Sequence, residues 1–213
     1  MKKLLALIPV LFLNAGFAQK AENLFGGDSK IYWLGVDFSH VKLIGDFSQF
    51  GGAGEKSAAQ VKRIYFPAWN MLILDEREKY DVARMIRKDR VIYDIDMVML
   101  VNATTPVDEL ESYNEASYSK DDIKKFVKGY KSEKQDGIGI LFLAESLNKA
   151  RTEAWFHFVA INLSNNEVLV HDRIRGEPGG IGLRNYWAGA IHEVIKEIEK
   201  TRYKDWKSEY AGR

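Results

Sequence analysis

Three apolar segments in the last third of the chain define its architecture: GIGILFLAESL (137–147), EAWFHFVAINL (153–163) and EVLVHDRIR (167–175). Each segment is rich in β-branched and aromatic residues, which are typical of β-strands. The last two are joined by only Ser164, Asn165 and Asn166. We therefore predict three successive strands in a meander. Apolar side chains then recur at helical spacing over residues 183–198, which predicts a closing amphipathic helix.

The preceding residues add two strands and three helices to this meander. The predicted elements are a strand at 31–44, helices near 55–65 and 68–88, a strand at 90–102 and a helix at 120–131. We therefore expect a single α/β domain over residues 30–202, with a mixed sheet and the element order β-α-α-β-α-β-β-β-α. Residues 19–29 are predicted to be a flexible lead-in, and residues 203–213 a C-terminal tail.

Composition excludes several classes of function. The 213 residues include 31 Lys and Arg and 30 Asp and Glu, so the net charge of +1 provides no basic excess for binding nucleic acid. The chain has no cysteine. Disulfides, thiolate zinc sites, iron–sulfur clusters and cysteine nucleophiles are therefore excluded.

The first residues are typical of a secretory signal peptide. Lys2 and Lys3 precede an apolar run at 4–13, and small residues follow as far as Ala18. We predict cleavage between Ala18 and Gln19, and export to the periplasm or the exterior. Neither this run nor any later one reaches the roughly 20 apolar residues that a membrane-spanning helix needs.

Two acidic residues are candidates for acid–base chemistry. Asp94 and Asp96 lie two residues apart in the predicted strand 90–102, so their side chains would project from one face, about 7 Å apart. Such a pair suits general acid–base catalysis or a hard cation. The alternative is a pair of solvated carboxylates at the polar end of a strand.

Two histidines lie on neighbouring predicted strands, but the expected register separates them. A hairpin loop of two or four residues puts His157 opposite Ile174 and His171 opposite Ala160, so the imidazoles point to opposite faces of the sheet. Only a loop of odd length would bring them together. We therefore predict two unrelated histidines and no metal site.

Two further motifs resemble known sites only in part. The segment HEVIK (192–196) begins like a zinc-protease motif, but Lys196 replaces the second histidine. The glycine-rich segment 176–182 lacks the residues that complete a phosphate-binding or dinucleotide-binding loop. We assign no catalytic residue and no cofactor.

Three residues are candidates for a partner interface. Arg184 and Tyr186 open the closing helix, and Trp206 lies among charged residues in the predicted tail. Tyr, Trp and Arg are enriched in protein interfaces.

The signal peptide, the element order and the segment AWFHFVAINLSNNEVLVHDRIRG (154–176) give the chain a family resemblance. It resembles the small α/β domain of bacterial envelope proteins, namely the TolB amino-terminal domain and the CsgG-like family of curli secretion, and also secreted proteins of Bacteroidetes. Such domains act as adaptor or assembly modules. The resemblance implies a non-enzymatic envelope module that binds a protein or another envelope component. A hydrolase-like enzyme acting through Asp94 and Asp96 is the alternative.

Overall fold

A six-stranded mixed sheet runs through the centre of the fold. The computed structural model describes residues 19–27, 29–47, 57–134 and 136–211. The predicted signal peptide, with Ala18 on one side of its cleavage site, lies outside the described residues. Within the described part of the chain, the predicted single α/β domain, C-terminal meander and closing helix are confirmed.

The strands are β1 (Ile31–Asp37), β2 (Lys42–Ile44), β3 (Ile92–Tyr93), β4 (Ile138–Asn148), β5 (Glu153–Asn162) and β6 (Glu167–Gly176). Their order across the sheet is β3-β1-β4-β5-β6, and β2 pairs with β4 beyond the end of β1. Strand β1 pairs in parallel with β3 and with β4, and β2 pairs in parallel with β4. Strands β4, β5 and β6 form the predicted antiparallel meander. The predicted strand 31–44 is thus divided in two, with a turn at Ser39 and His40.

Helices cover both faces of this sheet. They are α1 (Glu22–Phe25), α2 (residues 58–75, with a π-helical segment at Val61–Tyr65), α3 (Val82–Met85), α4 (Asp96–Thr104), α5 (Lys120–Lys128) and α6 (residues 182–210, with a π-helical segment at Ile198–Arg202). Helices α2 and α6 pack on the face that carries Trp33, Phe142 and Phe156. Helix α5 packs Ile123 and Val127 on the opposite face. Among the described residues, no helix is both long and apolar enough to cross a membrane.

The predicted strand at 90–102 is wrong beyond Tyr93, where the chain leaves the sheet and begins α4 at Asp96. Two asparagines occupy the edge of β1 that a longer β3 would have used. The side chain of Asn70 bonds to both N and O of Val36, and that of Asn102 bonds to O of Val36 and N of Phe38. These side-chain amides make the hydrogen bonds that a neighbouring strand would make with β1. Residues 96–104 therefore do not extend β3, and they form helix α4.

Gly35 lets Asn70 approach the edge of β1. Its φ of +104° is in the region that favours glycine, and a Cβ at this position would lie 2.5 Å from Oδ1 of Asn70. The adjoining register shift in β1, between Trp33 and Gly35, marks the same irregularity.

Two other predicted boundaries differ from the structure. The expected helices at 55–65 and 68–88 are replaced by one helix over 58–75 and the short α3. Pro67 has no N–H to donate, and the π-helical turn at Val61–Tyr65 accommodates it within a continuous helix. The expected tail at 203–213 is helical as far as Tyr210.

Candidate functional site

A buried group of ionisable side chains lies where β4, β5 and β6 run side by side. It consists of Glu145 from β4, His157 from β5, and His171 and Arg173 from β6, and we call these four residues the ionic cluster. The side chains of Glu145 and His157 have no exposed surface, whereas that of Arg173 is 34% exposed. Charged groups buried to this extent need partners, because the loss of hydration alone would cost several kcal/mol for each charge.

The carboxylate of Glu145 is the centre of the cluster. Arg173 binds it in a fork, with Nη2 2.5 Å from Oε1 and Nε 3.0 Å from Oε2. His157 Nε2 and the backbone N–H of Tyr118 donate to Oε2 at 2.9 and 3.1 Å. Burial raises the pKa of Glu145, but the hydrogen bonds from His157 and Arg173 outweigh it and lower the pKa to about 2. Glu145 is therefore an anion at neutral pH.

The two histidines extend this network by one step. Nδ1 of His157 lies 2.8 Å from Nε2 of His171. One N–H lies between these two nitrogens, so that one imidazole donates to the other, while Nε2 of His157 donates to Glu145. Burial, followed by the charges of His157 and Lys120, lowers the pKa of His171 to about 4. His171 is therefore neutral near pH 7.

The predicted separation of the two histidines is wrong, and the reason is a one-residue irregularity in β6. Near the turn, Asn162 pairs with Glu167, and this register would put His157 opposite Asp172. The pairing shifts by one residue between Ile161 and Ala160, so that His157 pairs with Arg173 instead. A shift of one residue exchanges the faces of a strand, which brings His171 to the side of His157.

Aromatic side chains enclose the cluster. The guanidinium of Arg173 lies 3.5 Å from the centroid of the Trp155 ring. The Tyr118 ring is 6.3 Å from that of His157, and its hydroxyl donates to the carbonyl of His40 at 2.6 Å. These contacts shield the ion pair from water and strengthen it.

The arrangement can hold a proton but does not gather metal ligands. Glu145, His157 and His171 bond to one another in a line, so their lone pairs do not converge on a common point. Across the described ranges of the chain, no group of three or more His, Asp or Glu is placed to hold a metal ion.

The two candidate acids share one pocket, although they are not neighbours on a strand. Asp94 follows β3, and Asp96 lies in the first turn of α4, where a carboxylate complements the helix dipole. Both line a cavity of about 250 Å³ whose other lining residues are Leu34, Met97, Leu100, Lys131, Ser132, Glu133 and Lys134. Nζ of Lys134 lies 3.5 Å from the carboxylate of Asp94. The structure thus adds cations that the sequence pattern did not associate with this pair.

The interface candidates on the closing helix are partly engaged by the fold. Arg184 has an exposed side chain, and its carbonyl accepts a hydrogen bond from Nε1 of Trp69 at 2.9 Å. Tyr186 is half-buried, and Nζ of Lys149 lies 4.6 Å from its ring centroid. Both residues remain near the surface at the start of α6, beside Ile181, which is 93% exposed.

Trp206 is a core residue, so its prediction as an interface residue is wrong. Only 4% of it is exposed. Its ring stacks on Phe158 with centroids 4.5 Å apart, and its Nε1 donates to Asp172 at 3.0 Å. The surrounding charges suggested an exposed tail, but helix α6 carries Trp206 back onto the sheet.

An open groove between α2 and α4 is the site that sequence reasoning missed. Its volume is about 450 Å³, within the range of small-molecule sites. The lining residues are Ala59, Lys62, Arg63, Phe66, Pro67, Met99, Asn102, Ala103 and Val107. Met99 and Asn102 lie within the predicted strand 90–102, and Ala103 and Val107 follow it. The groove could have been found only by recognising residues 96–104 as a helix.

Comparison of the chain with protein-family models and with curated proteins finds no match.

Proposed function

We propose that this chain is an exported, non-enzymatic binding module of the cell envelope, which holds a protein or another envelope component. The observation that carries the proposal is the open, largely apolar groove between α2 and α4. Val107, which lines the groove, is 38% exposed, and Met71 on α2 is 44% exposed. Apolar surface of this kind, bordered by polar residues, is typical of interaction sites.

The ionic cluster supports a structural role better than a catalytic one. Glu145 and His157 are fully buried, and the carboxylate already accepts hydrogen bonds from Arg173, His157 and a backbone N–H. A general base must reach the proton that it abstracts. Side chains committed to one another in this way stabilise the sheet rather than meet a substrate.

Export and the envelope setting rest on the sequence. The predicted signal peptide and the resemblance to envelope adaptor domains both support them. Mass spectrometry of the protein recovered from its host should find a mature N-terminus at or near Gln19. Recovery of the chain from the cytoplasm with Met1 intact would contradict export.

Site-specific photocrosslinking in envelope fractions tests the binding function. A photoreactive amino acid at Val107 reports on the groove, and one at Ile181 reports on the surface beside Arg184 and Tyr186. We expect an adduct from position 107 that disappears when Ala103→Trp fills the groove. An adduct from position 181 alone would move the interface to the start of α6. No adduct from either position would contradict the proposed function.

A hydrolase-like enzyme is the second candidate, because Asp94 and Asp96 line one pocket with Lys131 and Lys134. Carboxylates beside cations can position a polar substrate and move protons. Chromogenic esters and glycosides would serve as substrates. This candidate requires a measurable turnover that Asp94→Asn and Asp96→Asn both remove, whereas Asp108→Asn, outside the pocket, leaves it unchanged.

A further inference from the structure

We propose that the groove between α2 and α4 binds a single acyl chain with an anionic head group, such as a long-chain carboxylate. This inference rests on the proposed binding function and names its ligand class. The apolar lining provides the contact for the chain, and the cationic side chains at one end provide the contact for the head.

The charge of the lining favours an anion. Among the nine lining residues, the two ionisable ones, Lys62 and Arg63, are both cations. Asn102 is committed elsewhere, because its amide bonds to the backbone of Val36 and Phe38. The ligand's polar end is therefore expected at Lys62 and Arg63, where it would gain charge-assisted hydrogen bonds.

The two cations lie toward one end of the groove. Nζ of Lys62 donates to the carbonyl of Thr105, which follows the last residue of α4. The opposite end is formed by Pro67, one turn further along α2, and by Met99, one turn earlier in α4. The charged end thus carries Lys62 and Arg63 beside the apolar Ala59 and Val107, whereas Pro67 and Met99 at the opposite end are both apolar. This polarity matches an amphiphile with one head and one tail.

The apolar end continues onto exposed surface. Met71 follows Pro67 by four residues on α2, so it extends the same helical stripe. Its side chain is 44% exposed. A chain longer than the groove would thus remain in contact with Met71.

The π-helical segment of α2 presents both cations. Lys62 and Arg63 lie within Val61–Tyr65, the stretch in which the helix widens ahead of Pro67. Such π-helical turns recur at functional sites because they redirect side chains. In this chain the turn coincides with the charged end of the groove.

The dimensions of the groove favour a chain over a helical peptide. A helix of 12 residues, ~18 Å long and ~10 Å across, occupies roughly 1,400 Å³. The groove offers about 450 Å³. Its floor is no longer than α4, whose nine residues extend for ~13.5 Å. An extended acyl chain fits these limits.

Calorimetric titration of the mature protein tests the inference. The probes are decanoate, decan-1-ol and decyltrimethylammonium below their micellar concentrations, which share a chain and differ in head charge. We expect decanoate to bind most tightly. Arg63→Gln should weaken decanoate about tenfold and leave decan-1-ol unchanged, because only the head contacts the guanidinium.

Ala103→Trp tests the position of the chain. Ala103 is exposed and lines the groove, so the indole should fill it and abolish binding of all three probes. Ala150→Trp, at an exposed position in the turn between β4 and β5, is the matched control and should bind like the wild type. Thermal melts establish that both variants are folded. Decanoate binding that survives Ala103→Trp, or no decanoate binding at all, would overturn the inference.

The outcomes separate the ligand class from the general function. Envelope crosslinking through position 107 without decanoate binding would overturn the acyl ligand and leave the binding module intact. Self-association that Ala103→Trp disrupts, measured by sedimentation, would assign the groove to a second copy and also overturn it. Loss of both crosslinking and decanoate binding would overturn the function as well.

Discussion

Nδ1 of His157 lies 2.8 Å from Nε2 of His171, and the opposite nitrogen of His157 lies 2.9 Å from the carboxylate of Glu145. This line of three side chains crosses three adjacent strands, β4, β5 and β6. Burial in this network lowers the pKa of His171 to about 4, so that the folded chain binds a proton there less readily than the unfolded chain. The protonation of His171 is therefore linked to the stability of the fold.

Acid should destabilise the protein in two steps, the first of which belongs to His171. Its pKa is about 4 in the folded chain and 6.5 in the unfolded chain, so between these values only the unfolded chain binds the proton. The free energy of unfolding should therefore fall as the pH is lowered from 6.5 to 4, by about 1 to 3 kcal/mol. Glu145, with a folded pKa of about 2 against 4.5, should extend the loss below pH 4.5.

Urea denaturation of His171→Gln between pH 7 and 4 measures the first step. Gln can still hydrogen-bond to Nδ1 of His157 but cannot take up a proton, so the part of the pH dependence that belongs to His171 should disappear. His192→Gln, on α6 and away from the cluster, is the control and should retain the His171 step. The same pH dependence in His171→Gln and the wild type would refute this linkage.

Arg173→Gln should be far more costly than Arg175→Gln. Arg173 neutralises a carboxylate with no exposed surface, and its loss would leave that charge buried, at a cost of about 3 kcal/mol. Arg175 pairs with Glu153 at 3.0 Å, but its side chain is 46% exposed. Its loss should cost less than about 1 kcal/mol. Urea unfolding at pH 7 compares the two, and equal losses would mean that the Glu145 pair contributes no more than a surface pair.

The elements that the sequence predicted correctly are those set by local patterns, and the errors arose where residues distant in sequence interact. The three strands of the meander and the core stripe of α6 could be predicted because each carries its own periodic pattern. Residues 90–102 carry an alternating pattern as well, but the edge of β1 was already occupied by Asn70 and Asn102. Such competition between distant residues leaves no local signal.

The ionic cluster was missed for a related reason. Whether His157 and His171 share a face depends on the parity of the strand register, and a single shift in the β5–β6 pairing reverses it. Glu145 likewise sits at a register shift in β4, between Ala144 and Ser146. These bulges are set by packing across the sheet. Their positions are not visible in the spacing of apolar residues.

Asn102→Ala should destabilise the protein by about 2 to 3 kcal/mol. The backbone N–H of Phe38 is buried, and the amide oxygen of Asn102 accepts from it at 2.6 Å, so the truncation would leave that donor unsatisfied. Asn114→Ala is the control, because its side chain is exposed. Hydrogen exchange should show faster exchange at Phe38 in Asn102→Ala alone. Unchanged exchange at Phe38 would mean that Asn102 is not needed to protect the edge of β1.

Ile191→Ala tests whether the closing helix is held by its apolar stripe. Ile191 is 1% exposed and belongs to the core between α6 and the sheet, together with Trp187 and Val194. Removal of its buried side chain should cost about 2 to 5 kcal/mol, depending on how far the cavity collapses.

Glu193→Ala changes the same helix without touching that stripe. Its side chain is 58% exposed, so its loss should cost less than about 0.5 kcal/mol. Denaturant melts of the two variants give the contrast directly. If both losses are negligible, α6 does not stabilise the sheet in solution, and its apolar stripe becomes available to a partner. A large loss for Ile191→Ala alone would instead fix α6 as part of the core, with its apolar stripe packed on the sheet and closed to a partner.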